Sequence, residues 1–260
     1  MVAFSGGVDS TLLAAVARDA LGRANALAAT ADSPSIARAD LDGAVALAAA
    51  LDLEHVVVRT AEVSRPDYRE NPPARCFFCK QTLFEELGRL AQSRGIPAVV
   101  YGVLADDALA ERPGHQAALR YGVRAPLQEA GLMKAQVRII ARAMQLPNWD
   151  QPQNACLSSR IPHGQAVTEA KLRQVEQAEA WLRAQEFRQV RVRHLGNHAR
   201  IEVGPDEVAR FHDASLRWAV ERAFQELGFG TVGLERGGYR EGGADRGASD
   251  EVLLQAIGRC

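Results

Sequence analysis

The sequence predicts an α/β protein: a parallel sheet with helices on both faces, followed by a smaller C-terminal α+β domain. Three observations predict it. Short apolar runs alternate with helix-length segments from the N-terminus to about Gln145. A glycine-rich turn joins the first run to the first helix. After about Ala166 the pattern changes to a helix, an alternating hairpin and a second helix.

The apolar runs are "VAF" (Val2 to Phe4), "ALAAT" (Ala26 to Thr30), "HVVVRT" (His55 to Thr60) and "AVVYGV" (Ala98 to Val103). Near-continuous apolar runs of this length fit strands covered on both faces. Helical spacing marks Ser10 to Leu21, Ile36 to Leu51, Lys80 to Arg94 and Lys134 to Gln145, with Gly or polar breakers after the first three. "LPNWDQPQNACLSSRIPHG" then reads as a long irregular connection with three prolines, the kind of loop that in a compact domain carries function. Thr168 can cap a helix whose apolar positions are Leu172, Val175, Ala178 and Leu182. "VRVRHLGNHARIEV" alternates with period two about Gly196-Asn197 and predicts a hairpin. Asp206 is expected to open a helix ending at Gly228, and "TVGLE" to add a strand. The expected boundaries are 1–165, 166–241 and a Gly-, Ala- and charge-rich tail over 242–260, expected to be mobile.

A chain of 260 residues with 47% apolar composition buries a full core. It contains no run of membrane-span length and no leader pattern at its start, so no membrane partner is expected and the cytoplasm is the expected compartment. The formal net charge of -1 gives no pull toward nucleic acid, which is not expected as a partner. Lysine occurs only at Lys80, Lys134 and Lys171 among 31 basic residues, so an arginine is weak evidence for a phosphate site here.

"FSGGVDST" decides the class. A strand feeding Ser5-Gly6-Gly7 and then a helix presents free N–H groups at a helix N-terminus, where an anion is held. Ser5 and Ser10 add hydroxyl donors, and Asp9 stands between the two in the sequence. It is not a Walker A loop, because no Gly-Lys-[Ser/Thr] follows. The stretch "SGGVDS" resembles the pyrophosphate loop of the PP-loop ATP pyrophosphatases, which cleave ATP between its α and β phosphates and adenylate an oxygen. "ADSPS", "NPPARCFFCK", "ADDALAERPG", "GVRAPLQEAG", "ACLSSRIPHG" and "QVRVRH" narrow the resemblance to the LarE-type sulfur transferases, in that order and over nearly the whole chain. The resemblance implies ATP and Mg²⁺ as cofactors, with Ser5, Gly6, Gly7, Asp9, Ser10 and Ser33 binding the nucleotide. It also implies a small-molecule substrate, a pyridinium dicarboxylate mononucleotide whose carboxylates become thiocarboxylates for a nickel-pincer cofactor, and a homo-oligomer. Other readings are a tRNA thiolase of the same superfamily and a non-catalytic nucleotide or cluster sensor. Relatives carry a helix and a longer strand before the loop, so a weak first strand or a start set too far downstream is expected.

"RCFFCK" places Cys76 and Cys79 three positions apart, and Cys156 and Cys260 complete the cysteines. Cys76, Cys79 and Cys156 suit a [4Fe-4S] cluster with one open iron, as in one branch of the resembled family. In another branch a single cysteine matching Cys156 gives up its own sulfur. Zinc and a reversible dithiol are the alternatives. Cys260 is expected to be incidental. Asp107, with Asp106 and Arg112, follows the fourth strand at the sheet edge where open parallel sheets bind ligands, and is a catalytic candidate. Arg160, four residues after Cys156, can stabilise a thiolate or phosphate. Arg191 and Arg193 share a strand face and can clamp a substrate phosphate, unless Glu202 pairs with one of them.

Overall fold

The computed structural model describes residues 1–107, 113–152 and 155–239, and the tail expected over 242–260 lies outside them. The chain forms two units. The first comprises Met1–Tyr68 and Pro72–Ala155; the second comprises Arg69–Asn71 and the chain from Cys156.

In the first unit the described elements are β1 (Val2–Ala3), α1 (Val8–Leu21), β2 (Leu27–Asp32), α2 (Arg38–Ala50), β3 (Glu54–Arg59), α3 (Pro66–Arg69, whose last residue belongs to the second unit), α4 (Arg75–Ser93), β4 (Val100–Tyr101), α5 (Pro113–Arg120), α6 (Pro126–Glu129) and α7 (Lys134–Ala143). All strand pairings are parallel and the order is β3-β2-β1-β4. The expected class is therefore observed. Alternation along the strands builds two cores. Val2 and Ala28 face one, with Leu12 of α1, Ala44 of α2 and Val137 of α7. Met1, Leu27 and Ala29 face the other, with Phe84 and Leu87 of α4 and Ala117 of α5. This is the period-two consequence of a sheet covered on both sides.

One element starts earlier than its pattern suggests. The helix expected from Lys80 begins at Arg75, one residue after Pro72-Pro73, so Cys76 and Cys79 lie within its first five residues rather than ahead of it. Proline fits before a helix and breaks its interior, which sets the start.

The second unit contains α8 (Glu169–Ala184), β5 (Val190–Leu195), β6 (His198–Val203), α9 (Ala214–Glu226) and β7 (Thr231–Leu234). Thr168 accepts the Lys171 N–H as expected of a cap, and β5 and β6 pair as a hairpin with Leu195 opposite His198. β7 adds to β6 in parallel. The helix expected from Asp206 is instead a short 3₁₀ turn at Val208–His212 followed by α9, capped by Asp213. Glu207 is spent elsewhere, accepting the N–H groups of Arg188 and Gln189. Asn71 ties the outlying Arg69–Asn71 segment in. Fully buried and at φ +56°, it donates Nδ2 to the carbonyls of Ile161, Pro162 and Gln165.

Leu87 is fully buried in the second core of the sheet. Leu87→Ala should cost about 2–5 kcal/mol, read as a lower urea midpoint of the first unit's transition.

Candidate functional site

The loop at the end of β1 is held from three sides. Gly6 has φ +75°, and a Cβ there would stand 3.0 Å from the Ala44 Cβ, so glycine is required by conformation and by space. Gly7 precedes α1 with ordinary φ -74°, and a Cβ there would meet only Ser5 Oγ at 3.5 Å. The Ser5 N–H donates to Ser10 Oγ at 3.1 Å, while Ser10 and Thr11 donate their hydroxyls to the Gly7 carbonyl at 3.0 and 2.9 Å. Asn148, from the irregular connection, donates Nδ2 to the Gly6 carbonyl at 2.7 Å and to Thr11 Oγ1 at 3.0 Å. Because the C=O and N–H of one peptide point opposite ways, fixing the Gly6 carbonyl on Asn148 directs the Gly7 N–H away from Asn148. There the Gly7 N–H donates to Ser5 Oγ at 3.4 Å, at the exposed start of α1.

Two further residues shape this edge. Gly102, just past β4, lies so close to α1 that a Cβ would stand 2.8 Å from the Ser10 nitrogen and 2.9 Å from the Asp9 carbonyl carbon. Asp9 is paired with Lys134, whose Nζ donates to its two carboxylate oxygens at 2.7 and 2.9 Å, and the Lys134 N–H donates to Asp106 Oδ2 at 3.0 Å. Asp107 accepts the Leu104 N–H at 3.0 Å. Arg112 lies outside the described residues. Ser33, at the end of β2, is buried and donates its hydroxyl to Glu62, as does Ser35 at 2.7 Å. Glu62 is itself 2% exposed, and its other oxygen has no hydrogen-bond partner among the described residues.

In the second unit Cys156 precedes a 3₁₀ turn, Leu157–Arg160. Its carbonyl accepts from Ser159 Oγ and Arg160 Nη1, each at 2.8 Å, so the backbone carrying the thiol is fixed. Arg160 is 2% exposed, and its fork is committed to Glu179 at 2.9 and 3.1 Å. Burial alone raises the Glu179 carboxyl, but the Arg160 charge and hydrogen bond, the Val192 N–H and Arg183 together bring it below the usual carboxylate range. Arg193 makes a two-pronged pair with Glu202 at 2.9 and 2.8 Å and donates Nη1 to the Ser159 carbonyl. Arg191 lies over the Tyr239 ring and donates to its neighbour's carbonyl, Val190. Burial, then the nearby Arg160 charge, pulls its pKa down. The second unit thus brings Cys156, Arg160, Arg191 and Arg193 together. The first brings together Ser5, Gly6, Gly7, Asp9 and Ser10, and adds Lys134, Asn148 and Gly102, while Ser33 is held apart on Glu62.

Cys76 and Cys79 sit on one face of α4, the first exposed and the second half-buried, and neither they nor Cys156 are in a disulfide. They fit two thiolates of a metal site. Among the described residues no group of three or more His, Cys, Asp or Glu is assembled for a metal ion. No described helix is long and apolar enough to cross a membrane.

A glycine turn leads from β1 into α1 at the carboxyl edge of a parallel sheet, and residues 1–70 match the NAD synthase family. The chain is 36% identical over 241 residues to the pyridinium-3,5-bisthiocarboxylic acid mononucleotide synthase of Lactiplantibacillus plantarum, spanning 93% of this chain and 87% of that one. It is 45% identical over 247 residues to an uncharacterized protein of Synechocystis, spanning 95% and 91% of the two chains. An uncharacterized protein of Methanocaldococcus jannaschii is 25% identical over 240 residues, 92% of this chain and 90% of its own. The chain belongs to the LarE-type sulfur transferases of the PP-loop superfamily, and it is an ATP-dependent enzyme.

Two outcomes test the geometry. Gly102→Ala should push the start of α1 away from β4 and lower ATP affinity, whereas Gly122→Ala, at a surface turn of φ +64° with open space around it, should cost only stability. Glu179→Ala leaves Arg160 buried without its carboxylate and should destabilise the second unit by about 3–5 kcal/mol in denaturant titration at neutral pH. Since the Glu179 carboxyl lies below its unfolded value, the wild-type contribution should be present above the unfolded pKa and fade as pH falls through the folded one.

Proposed function

We propose that the protein uses ATP to activate a carboxylate of a pyridinium dicarboxylate mononucleotide and converts it to a thiocarboxylate, a step in making a nickel-pincer nucleotide cofactor. The observation that carries this reading is the near full-length match to the L. plantarum synthase, joined to the preset loop at the end of β1. A substrate carboxylate oxygen attacks the α-phosphorus of ATP, the bond to the β-phosphate oxygen breaks, and pyrophosphate leaves. The Gly6–Gly7 backbone and the Ser5 hydroxyl receive the phosphates, while Ser10, whose hydroxyl holds the Gly7 carbonyl, keeps the loop in shape. Asp9 is the carboxylate at this loop able to hold Mg²⁺, which would neutralise the departing charge. In the acyl-adenylate AMP is the leaving group, and a sulfur nucleophile takes its place at the acyl carbon. Arg191 is proposed to receive the substrate phosphate; Arg193 supports that strand while bound to Glu202. Arg160 is proposed to act through the Cys156 backbone, and Asp107 to shape the edge beyond β4. The enzyme is proposed to act in the cytoplasm as a homo-oligomer.

Cys76, Cys79 and Cys156 are proposed to carry the sulfur chemistry. The support is a Cys-x-x-Cys on one helical face and a third thiol on a rigid turn. A [4Fe-4S] cluster on these cysteines, when bound, would offer an open iron for an additional sulfide.

Pyrophosphate release that depends on the mononucleotide dicarboxylate is the expected result with purified protein. Gly7→Val, whose Cβ would meet Ser5 Oγ at an ordinary 3.5 Å, should abolish it with little change in melting temperature. Release that ignores the substrate, or survives in Gly7→Val, would remove the assignment. After anaerobic reconstitution, each of Cys76→Ala, Cys79→Ala and Cys156→Ala should lower bound iron and sulfide and stop thiocarboxylate formation. Single-round transfer by the Cys76→Ala, Cys79→Ala double variant, with loss of H₂S from Cys156 in intact mass, would replace the cluster with a sacrificial thiol.

A further inference from the structure

Arg160, Arg191 and Arg193 belong to one unit, yet they are held in two different ways. The fork of Arg160 is on Glu179 and that of Arg193 on Glu202. A carboxylate that fixes a guanidinium in this way also cancels its charge and occupies its donors. Arg191 has no carboxylate partner among the described residues. It lies over the Tyr239 ring, 5.2 Å from the centroid, and spends one donor, Nη1, on the Val190 carbonyl at 2.8 Å. A ring beneath a guanidinium attracts its charge without accepting its N–H groups, so the remaining donors stay available.

The turn after β7 puts Tyr239 in this place. The Glu235 N–H donates to the Ile201 carbonyl at 2.8 Å, and the Gly238 N–H closes the turn on the Glu235 carbonyl at 3.1 Å. Gly238 has φ +66°, and a Cβ there would stand 2.9 Å from both the Pro205 Cα and the Val203 carbonyl oxygen, so only glycine fits. The next N–H, that of Tyr239, donates to the Val203 carbonyl at 2.7 Å. Val203 stands opposite Val190 in the hairpin, and Arg191 follows Val190. The turn thus carries the ring to the strand end that bears Arg191.

Arg191 is half-buried, and both burial and the nearby Arg160 charge disfavour its charged form. A guanidinium so placed gains by moving out to water, and the aromatic ring opposes that movement. We propose that Tyr239 is the positioning residue for Arg191: its ring holds the guanidinium in place without neutralising it, so that Arg191 meets the phosphate of the mononucleotide substrate with its charge intact. The proposal rests on Arg191 as the residue that receives the substrate phosphate, and it adds what keeps that residue competent.

The test is substrate-dependent pyrophosphate release by the full chain, with KM values for the pyridinium dicarboxylate mononucleotide and for ATP, and a melting temperature for each variant. Tyr239→Leu should raise the mononucleotide KM on the order of 3- to 30-fold, the range of a partly desolvated cation–π contact. Its KM for ATP should stay within about twofold of wild type. Tyr239→Phe, which keeps the ring, should recover most of the loss. Arg191→Gln should also raise the mononucleotide KM, and adding Tyr239→Leu to it should cost nothing further, because a residue that acts through Arg191 then has nothing to position. An unchanged mononucleotide KM in Tyr239→Leu, an equal rise in the KM for ATP, no recovery in Tyr239→Phe, or additive losses in the double variant would each overturn the proposal. Arg191→Gln with an unchanged mononucleotide KM would instead strike the phosphate role of Arg191, and wild-type protein without substrate-dependent release would strike the proposed reaction.

Discussion

The loop at the end of β1 depends on the orientation of one peptide group, that between Gly6 and Gly7. A backbone N–H is a fixed dipole, and it serves an anion only if it points outward before the anion arrives. Asn148 holds the Gly6 carbonyl, the positive φ of Gly6 turns the chain, and the Ser10 and Thr11 hydroxyls hold the next carbonyl. The packing around the loop serves the same end. Ala44 leaves room for nothing larger than glycine at Gly6, and Gly102 lets the end of β4 touch the first turn of α1. Small residues at these contacts bring backbone against backbone, and preorganisation of that kind is what makes neutral donors effective.

The second unit solves a different problem with charge. Arg160 and Glu179 are both almost wholly buried, an arrangement that costs desolvation on both sides and is tolerable only because every prong is used. Glu179 receives Arg160, Arg183 and the Val192 N–H, while the remaining Arg160 nitrogen turns to the Cys156 carbonyl. The pair thus joins α8 and β5 to the turn bearing Cys156. Buried pairs of this type are modest net contributors to stability, and here the pair fixes the backbone that carries Cys156. Arg193 and Glu202 repeat the device one strand along, with Arg200 also 3.4 Å from Glu202.

Much of this was readable from local pattern. The strands, the loop and the Cys-x-x-Cys were visible because each is contiguous, and alternation placed Arg191 and Arg193 on one strand of a hairpin. The competition from Glu202 was also visible, though not its outcome. Glu202 stands opposite Arg191 in the ladder yet binds Arg193 diagonally, a choice made by side-chain reach rather than register. Ser33 is expected from the sequence to bind the nucleotide, but its burial against Glu62 was not legible, because a lone glutamate in "TAEVS" carries no periodic or motif signal.

By itself the sequence determined the alternating α/β order, the glycine turn into α1 and the cysteine spacing, since each follows from neighbours within one helical turn or one strand. Tertiary structure alone decided that Lys134 and Asn148 complete the loop, across separations of 125 and 142 residues, and that Gly102 must be glycine. It alone decided that Arg160 faces Glu179 and the Cys156 backbone. The physical reason is that a local pattern encodes which face a residue occupies. Which group stands on the opposing face, and so whether a charge is stored, shared or neutralised, exists only once distant segments have packed.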